Sequence, residues 1–472
     1  MRKVLAIDMG ATSIRGIIGY TEDGKVRLRE VMRFAHEIKT SNDRLRWDFD
    51  ALLNKIVQTI RENADEITSV GIDAWGVDFG LLSEDGTLLE APVSYRDPAH
   101  QEGFSEAVRV LPEKEIFTET GTQIMHINTL FQLLTLRKRS PEVYERAAKL
   151  LMLPDLLQYL LCGSVQGEET ILSTTQLLNL KTGDYSERLL RAFDLDRSKL
   201  PPIGKAGRIS GRVRDGRIAS LRDLDIEVVS VCGHDTASAV LLTRAMTEED
   251  TMFLSCGTWS LFGIRAESPD LSEKAYEKGL TNELGYGSAP LLFKNLTGLY
   301  LFEKYKAGCE KRLGRRLSFD EITAYVEASC EREESIRNLI DMEDPRFGSE
   351  ETDAKEAIDA YLRERGLAIP ENEMEYFRII YESMVRKYAE VKAALEELTG
   401  RKYRKIHMIG GGARSALLCR LIAKRLSVTV IAGPYEASAL GNVLLQLYAI
   451  GEIGSLEEGL RAAYCSQEMK QY

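Results

Sequence analysis

Nowhere does this sequence hold an uninterrupted apolar run of membrane-spanning length, and in its opening stretch MRKVLAIDMG the acidic Asp8 breaks the hydrophobic residues after a few positions. A spanning helix needs about 20 apolar residues and a secretory leader needs an unbroken core. Neither is expected, and no membrane partner. Cysteine is sparse: seven residues, an odd number with no C-x-x-C pair, which argues against a disulfide framework or a zinc site and for a reducing, cytoplasmic setting. Of five histidines, His36, His100, His126 and His407 show no metal-ligand spacing. Positive charge is in deficit, with 62 Lys and Arg against 73 Asp and Glu for a net charge of -11. No basic cluster stands apart from compensating acids, which argues against a surface that tracks nucleic-acid phosphates or anionic lipid, and a small neutral or nucleotide-type ligand fits better. The nucleotide signature G-x-x-x-x-G-K-[ST] is also missing, which argues against a P-loop enzyme.

What is present is enough chain for two cores: 472 residues, 44% of them hydrophobic. From Lys3 to Phe34 the runs KVLAID, IRGIIGY and KVRLREVMRF alternate with turns and read as a three-stranded antiparallel meander. Leu52, Leu53, Ile56, Val57 and Ile60 then follow at helical spacing within 50–64, and a strand is expected over 69–73. The order βββαβ is that of a ribonuclease H-like fold. Residues 101–200 read as a mainly helical insertion on the first lobe, and 227–232 as a short strand. The second half opens as the first does: GATSIRGI around Gly10 and GTWSLFGI around Gly257 share Gly, Ser, Gly and Ile at equal offsets, as a duplication would leave them. Further on, a helix carrying Ile380, Met384, Val391, Leu395 and Leu398 stops at Gly400. A strand over 405–409 runs into Gly410-Gly411-Gly412, a strand over 428–431 follows, and a last helix starts near Ala437. The fold class expected is α/β, with two ribonuclease H-like domains of the actin, sugar kinase and heat-shock ATPase type, an active-site cleft between them, and a division at 1–243 and 244–472.

Two strand-turn-strand loops, Gly10 to Ser13 and Gly257 to Ser260, offer free backbone N–H groups and hydroxyls, the groups that hold phosphate oxygens. Each alone is ordinary hairpin chemistry; the pairing is what suggests a phosphate clamp. Asp8 either closes its own turn or holds Mg2+ through water, as hard oxygen ligands do. GGGARS at 410–415 follows a strand and opens a helix, a favourable place for a nucleotide. A dinucleotide fingerprint is disfavoured, because the motif ends in Ser415 and no acidic residue follows at the required distance. In VCGHDTASAV, spacing alone favours Asp235 or Thr236 as a helix N-cap; the functional alternative makes Asp235 a general base. Trp47, Trp75 and Trp259 either stack on a sugar or pack in cores. Asp73 and Asp78, flanking Trp75-Gly76, either bind polyol hydroxyls or cap turns.

Taken in order, AIDMGATSIRG, GIDAWGVDFGLL with the following YRD, CGHDTASAV, LSCGTWSL, KNLTGLYLFE, MIGGGAR and GPYEASALGN resemble the FGGY carbohydrate kinases from Val4 to about Ile450. The resemblance implies an ATP-dependent kinase that moves the γ-phosphoryl of Mg·ATP to the primary hydroxyl at carbon one of a ketose. The stretches holding Trp75-Gly76-Val77-Asp78, His234-Asp235-Thr236 and Cys256 to Ser260 point to the L-rhamnulose branch over xylulose or glycerol. By the same resemblance Asp235 matches the proton acceptor, Gly76, His234, Thr236 and Asn295 match sugar contacts, and Ala11, Thr12, Ser13, Ile14, Arg15, Thr258, Glu303 and Gly411 match ATP contacts. Ile14 stands where a small residue is expected and Glu303 where glutamine is expected. The first domain would then supply the sugar side, the first phosphate loop and the base, and the second the nucleotide side, in a monomer or small homo-oligomer whose partners are a ketose and ATP. The alternatives are a kinase for another ketose, such as L-fuculose or a xylulose, and a sugar sensor or ATPase on the same fold.

Overall fold

A computed structural model describes residues 1–10, 13–331, 338–348 and 352–472; the strands of its two principal sheets are numbered along the chain. β1 (Lys3–Met9), β2 (Ser13–Glu22) and β3 (Lys25–Ala35) form the expected meander, with β1 antiparallel to β2 from Val4↔Gly19 to Met9↔Ile14. Asp23 and Gly24 both take positive φ, 51° and 69°, which suits a two-residue hairpin turn whose twist matches the strands. β4 (Ile67–Ala74) lies parallel to β1 and sets Asp73 opposite Asp8. A parallel pair needs a crossover, and the helix Phe49–Glu62 supplies it, burying Leu52, Ile56 and Ile60 at helical spacing. Each such fully buried aliphatic chain contributes roughly 1.5–3 kcal/mol. β5 (Arg208–Arg212) and β6 (Glu227–Ser230) complete the sheet in the order β5-β6-β4-β1-β2-β3, with β6 parallel to β4.

Between β4 and β5 the chain makes the mainly helical insertion, which has a core of its own built around Ile116, Phe131, Leu134 and Leu189. Two short antiparallel strand pairs are not evident in the sequence pattern: the hairpin Ile38–Ser41 with Arg44–Trp47 ahead of the helix Phe49–Glu62, and, within the insertion, Phe79–Leu82 with Lys149–Met152.

The later strands are β7 (Thr251–Cys256), β8 (Trp259–Arg265), β9 (Thr281–Gly285), β10 (Ala289–Thr297), β11 (Lys405–Ile409), β12 (Thr429–Ala432) and β13 (Lys470–Gln471). β7 and β8 are antiparallel, while β7, β11 and β12 run parallel. The succession β10-β8-β7-β11-β12 repeats β3-β2-β1-β4-β6 strand for strand. The duplication suggested by two hairpins therefore extends to five strands.

Two compact units result, and neither is a continuous half of the chain. The first comprises Met1–Leu242, Arg265–Leu292 and Glu436–Glu468; the second comprises Thr243–Ile264, Phe293–Tyr435 and Met469–Tyr472. The helix Ala437–Ala449 thus follows β12 of the second sheet in sequence but packs in the first unit on β1 and β4. A further helix, Leu456–Ser466, comes after it where the sequence pattern gave no sign of one. Among the described residues no helix is long and apolar enough to cross a membrane.

Candidate active site

In a parallel α/β sheet, ligands are met at the carboxyl ends of the strands. There the first unit places Asp8 on β1 and, in register with it, Asp73 on β4. One step further across, Ala74 N donates to Gly233 O at 2.9 Å, and Ala74 bridges to His234 in parallel, so the chain leaving β6 runs alongside β4 until the helix Asp235–Val240 begins. Three residues far apart in sequence, Asp8, Asp73 and Asp235, are brought to one sheet end by this register.

Their surroundings differ. Asp73 is fully buried. Its Oδ2 accepts a 2.6 Å hydrogen bond from Asn442 Nδ2, while its Oδ1 has no partner among the described residues. Asn442 is itself held by Gln446, which reaches Leu5 O and accepts from Ser69 Oγ. Gly71 makes room for this pair, since a Cβ there would sit 2.8 Å from Asn442 Oδ1. Burial and then the charge of Asp8 push the Asp73 carboxyl well above its ordinary range. Asp8 is buried and bound by the Arg15 guanidinium, which also engages Glu436; burial still raises its carboxyl against the pull of Arg15. Asp235 alone is open, its side chain 26% exposed against 2% for Asp8. Burial of the site, opposed by His234 and reinforced by Asp8, lifts its carboxyl to about 6.

The helix-cap reading of Asp235 does not match this geometry. His234 occupies the N-cap with no side-chain cap, and Asp235 is the first helical residue, its Oδ1 accepting from Thr236 N at 2.6 Å and Thr236 Oγ1 at 3.3 Å. The turn before it is anchored by a buried carboxylate that sequence reasoning missed: Glu168 Oε2 accepts from Gly233 N at 2.9 Å, and Thr170 Oγ1 accepts from His234 N at 3.3 Å. The His234 ring lies with Nε2 3.5 Å from Asp235 Oδ1 and Nδ1 3.1 Å from Glu283 Oε2. Burial works against its charged form, yet Glu283, Asp235 and Glu168 outweigh burial and raise its proton affinity.

Gly76 follows β4, and its bare α-carbon fits against Thr174, whose side chain a Cβ would meet at 3.0 Å. Val77 takes φ 70°, costly for a β-branched residue. It is held there by Asp78 N donating to Gly76 O, Thr174 Oγ1 accepting from Val77 N, and Thr129 Oγ1 donating to Val77 O. Trp47 and Trp75 are buried, both donating to Asp78 Oδ2 at 2.6 and 2.9 Å, and Gln132 donates to Asp78 Oδ1. Asp78, raised to about 6 by burial against those donors, is therefore a structural acceptor. The two tryptophans are packed residues, with the His36 ring 4.8 and 5.2 Å from theirs and His36 Nε2 2.9 Å from Gly10 O. Trp259, at the start of β8, is exposed.

In the first hairpin, Gly10 N donates to Ser13 O at 3.0 Å, Ser13 is half-buried and Ile14 is buried on β2; Ala11 and Thr12 lie outside the described residues. The equivalent hairpin of the second unit is clamped from behind: Leu299 N donates to Gly257 O at 2.8 Å and Gly298 N to Thr258 O at 3.0 Å. Gly410 and Gly412 pass so close to Cys256 that added Cβ atoms would come within 2.9 and 2.4 Å of it, whereas Gly411 is exposed with open space around it. Thr258 and Gly411 thus stand at the carboxyl ends of adjacent parallel strands, β7 and β11. Glu303 is exposed in the first turn of the helix Tyr300–Leu313, and Asn295 is half-buried on β10.

Among the described residues no group of three or more His, Cys, Asp and Glu could cage a metal. The donors at the first sheet end are hard oxygens, and one of them, Asp73 Oδ1, is buried without a partner. That suits Mg2+, which keeps waters and takes one or two carboxylates together with substrate phosphates.

Residues 3–241 match the N-terminal domain model of the FGGY family of carbohydrate kinases and residues 252–450 its C-terminal domain model. The chain is 34% identical over 475 residues to a rhamnulokinase of Halalkalibacterium halodurans, covering 100% of this chain and 99% of that one. It is 37% identical over 455 residues to a rhamnulokinase of Bacteroides thetaiotaomicron, covering 95% and 90%. Its fold is similar to a ligand-bound xylulose kinase from Lactobacillus acidophilus, with a TM-score of 0.82 over 100% of this chain and 94% of that one at 18% identity.

Proposed function

The chain belongs to the FGGY family of carbohydrate kinases and is an ATP-dependent sugar kinase, and from that premise we propose that it phosphorylates L-rhamnulose at the primary hydroxyl of carbon one, giving L-rhamnulose 1-phosphate and ADP, with Asp235 as general base. The observation that carries the base is access. Of the three carboxylates at the first sheet end, Asp8 and Asp73 are buried and already engaged by Arg15 and Asn442, and Asp235 alone is only half-buried. A group that takes a proton from substrate has to touch it.

A carboxyl raised to about 6 is ionised near neutral pH and yet a better proton acceptor than an ordinary aspartate. In this reading Asp235 receives the hydroxyl proton as the oxygen attacks the γ-phosphorus, and His234, Thr236, Gly76 and Asn295 orient the ketose. ATP is assigned to Ala11, Thr12, Ser13, Ile14 and Arg15 of the first hairpin with Thr258, Glu303 and Gly411. The first unit then supplies the sugar side, the first phosphate loop and the base, and the second the nucleotide side. Mg2+, bound with ATP and held through water by Asp8, would supply charge neutralisation at the phosphates. The choice of L-rhamnulose is supported by the names of the relatives, which align with 95–100% of the chain. Asp235→Asn keeps the shape and removes the base. It should fold and bind ATP while kcat falls roughly 10²- to 10⁴-fold in a coupled ADP-release assay; turnover near that of the wild type removes Asp235 from the mechanism.

A further inference from the structure

Glu283 sits in the middle of β9, a strand buried at every position, and is itself 4% exposed. Chain from beyond the second hairpin returns to the first unit to place it there. β9 is pinned by Asn282 N donating to Gly121 O at 2.8 Å, Gln123 N to Thr281 Oγ1 at 3.0 Å and Leu284 N to Ser173 Oγ at 3.0 Å. A buried carboxylate is costly unless paired. Glu283 Oε2 makes no aligned hydrogen bond among the described residues, and the group that faces it is His234 Nδ1 at 3.1 Å. The opposite ring nitrogen faces Asp235 Oδ1 at 3.5 Å. The imidazole thus lies between a buried acid and a half-buried one.

We propose that Glu283 is a positioning residue for phosphoryl transfer: as the carboxylate 3.1 Å from Nδ1 it favours the doubly protonated, cationic ring of His234, whose Nε2 proton then lies at the edge of Asp235 where the acceptor hydroxyl is received. A carboxylate beside one ring nitrogen fixes the ring's orientation and favours its protonated form. The charged groups around the ring act in the same sense, with Glu283 from β9, Glu168 from the segment ahead of Thr170 and Asp235 from its own helix; Asp8 on β1 and Asp73 on β4 face Asp235 in turn. The inference rests on Asp235 as the base, and it adds a residue that touches neither sugar nor nucleotide.

Nitrogen-15 spectra of histidine-labelled full-length protein, with the His234 signals assigned by their loss in His234→Gln, read the ring directly. The wild type should carry a proton on Nδ1 at pH 7.5, and Glu283→Gln should lose it or move its titration to lower pH. In the same variant kcat/KM for the ketose should fall roughly 10- to 100-fold, the acid limb of its pH profile should shift to higher pH as Asp235 loses its cationic neighbour, and KM for ATP should stay unchanged. A wild-type ring with bare Nδ1 overturns the proposal without any variant, which covers the case in which Glu283→Gln does not fold. So does a Glu283→Gln enzyme with an unaltered ring signal or pH profile. Asp235→Asn measured beside it keeps the two claims apart: retained turnover there defeats the base, while the ring spectrum still decides what Glu283 holds.

Discussion

At the scale of single residues, the site is a contrast among aspartates whose chemistry is set by their cover. Asp235 is lifted to about 6 from an ordinary 3.8, so kcat/KM for the sugar should decline as pH falls through about 6. The same shift has a stability consequence of definite sign. Between about 4 and 6 the folded protein holds a proton on Asp235 that the unfolded chain has released, so this group's contribution to stability falls as pH rises across that window and remains lost above it. Asparagine cannot ionise. Asp235→Asn should therefore melt above the wild type at pH 8, and the gap should close toward pH 4; thermal scans at both values check this, and a variant that melts lower at pH 8 contradicts it. Chemistry-bearing residue types were legible in the sequence, but their cover was not. In sequence Trp47 and Trp75 read more readily as packing than as a sugar platform and Asp78 stays open between polyol binding and turn capping; their mutual hydrogen bonds show packing around a structural acceptor.

At the scale of elements, the helix Ala437–Ala449 gives the site its rigidity. Asn442 and Gln446, one turn apart, enter the gap over Gly71, and Gly441 lets the helix lie against the helix Asp235–Val240, where a Cβ would meet Ser238 O at 2.0 Å. Gly441→Ala should cost roughly 1–3 kcal/mol of stability by overpacking, read as a lower urea midpoint. It should also lower turnover, because the helix that must yield carries Asp235. Local elements were readable from periodicity and turn chemistry: the meander, the crossover helix and the glycine-terminated strand before Gly410 all lie where the pattern put them, within a residue or two. Their partners were not readable. Asn442 and Asp73 are 369 positions apart, and no spacing rule connects them; Glu168 and Glu283 lie outside every motif and matter only because the fold delivers them to Gly233 and His234.

At the scale of the whole molecule, two sheets with the same strand succession descend from one plan, and the chain interleaves them by returning twice to the first unit. Fold and family leave the sugar open, because the same scaffold serves kinases of several substrates and selectivity rests on individual polar contacts. The most direct measurement is a coupled ADP-release assay across L-rhamnulose, L-fuculose and xylulose, with the product's phosphorylated carbon located by phosphorus–carbon NMR coupling. L-rhamnulose should lead in kcat/KM by about tenfold or more, with phosphate on carbon one. A different preferred ketose, or phosphate on another carbon, would contradict the account.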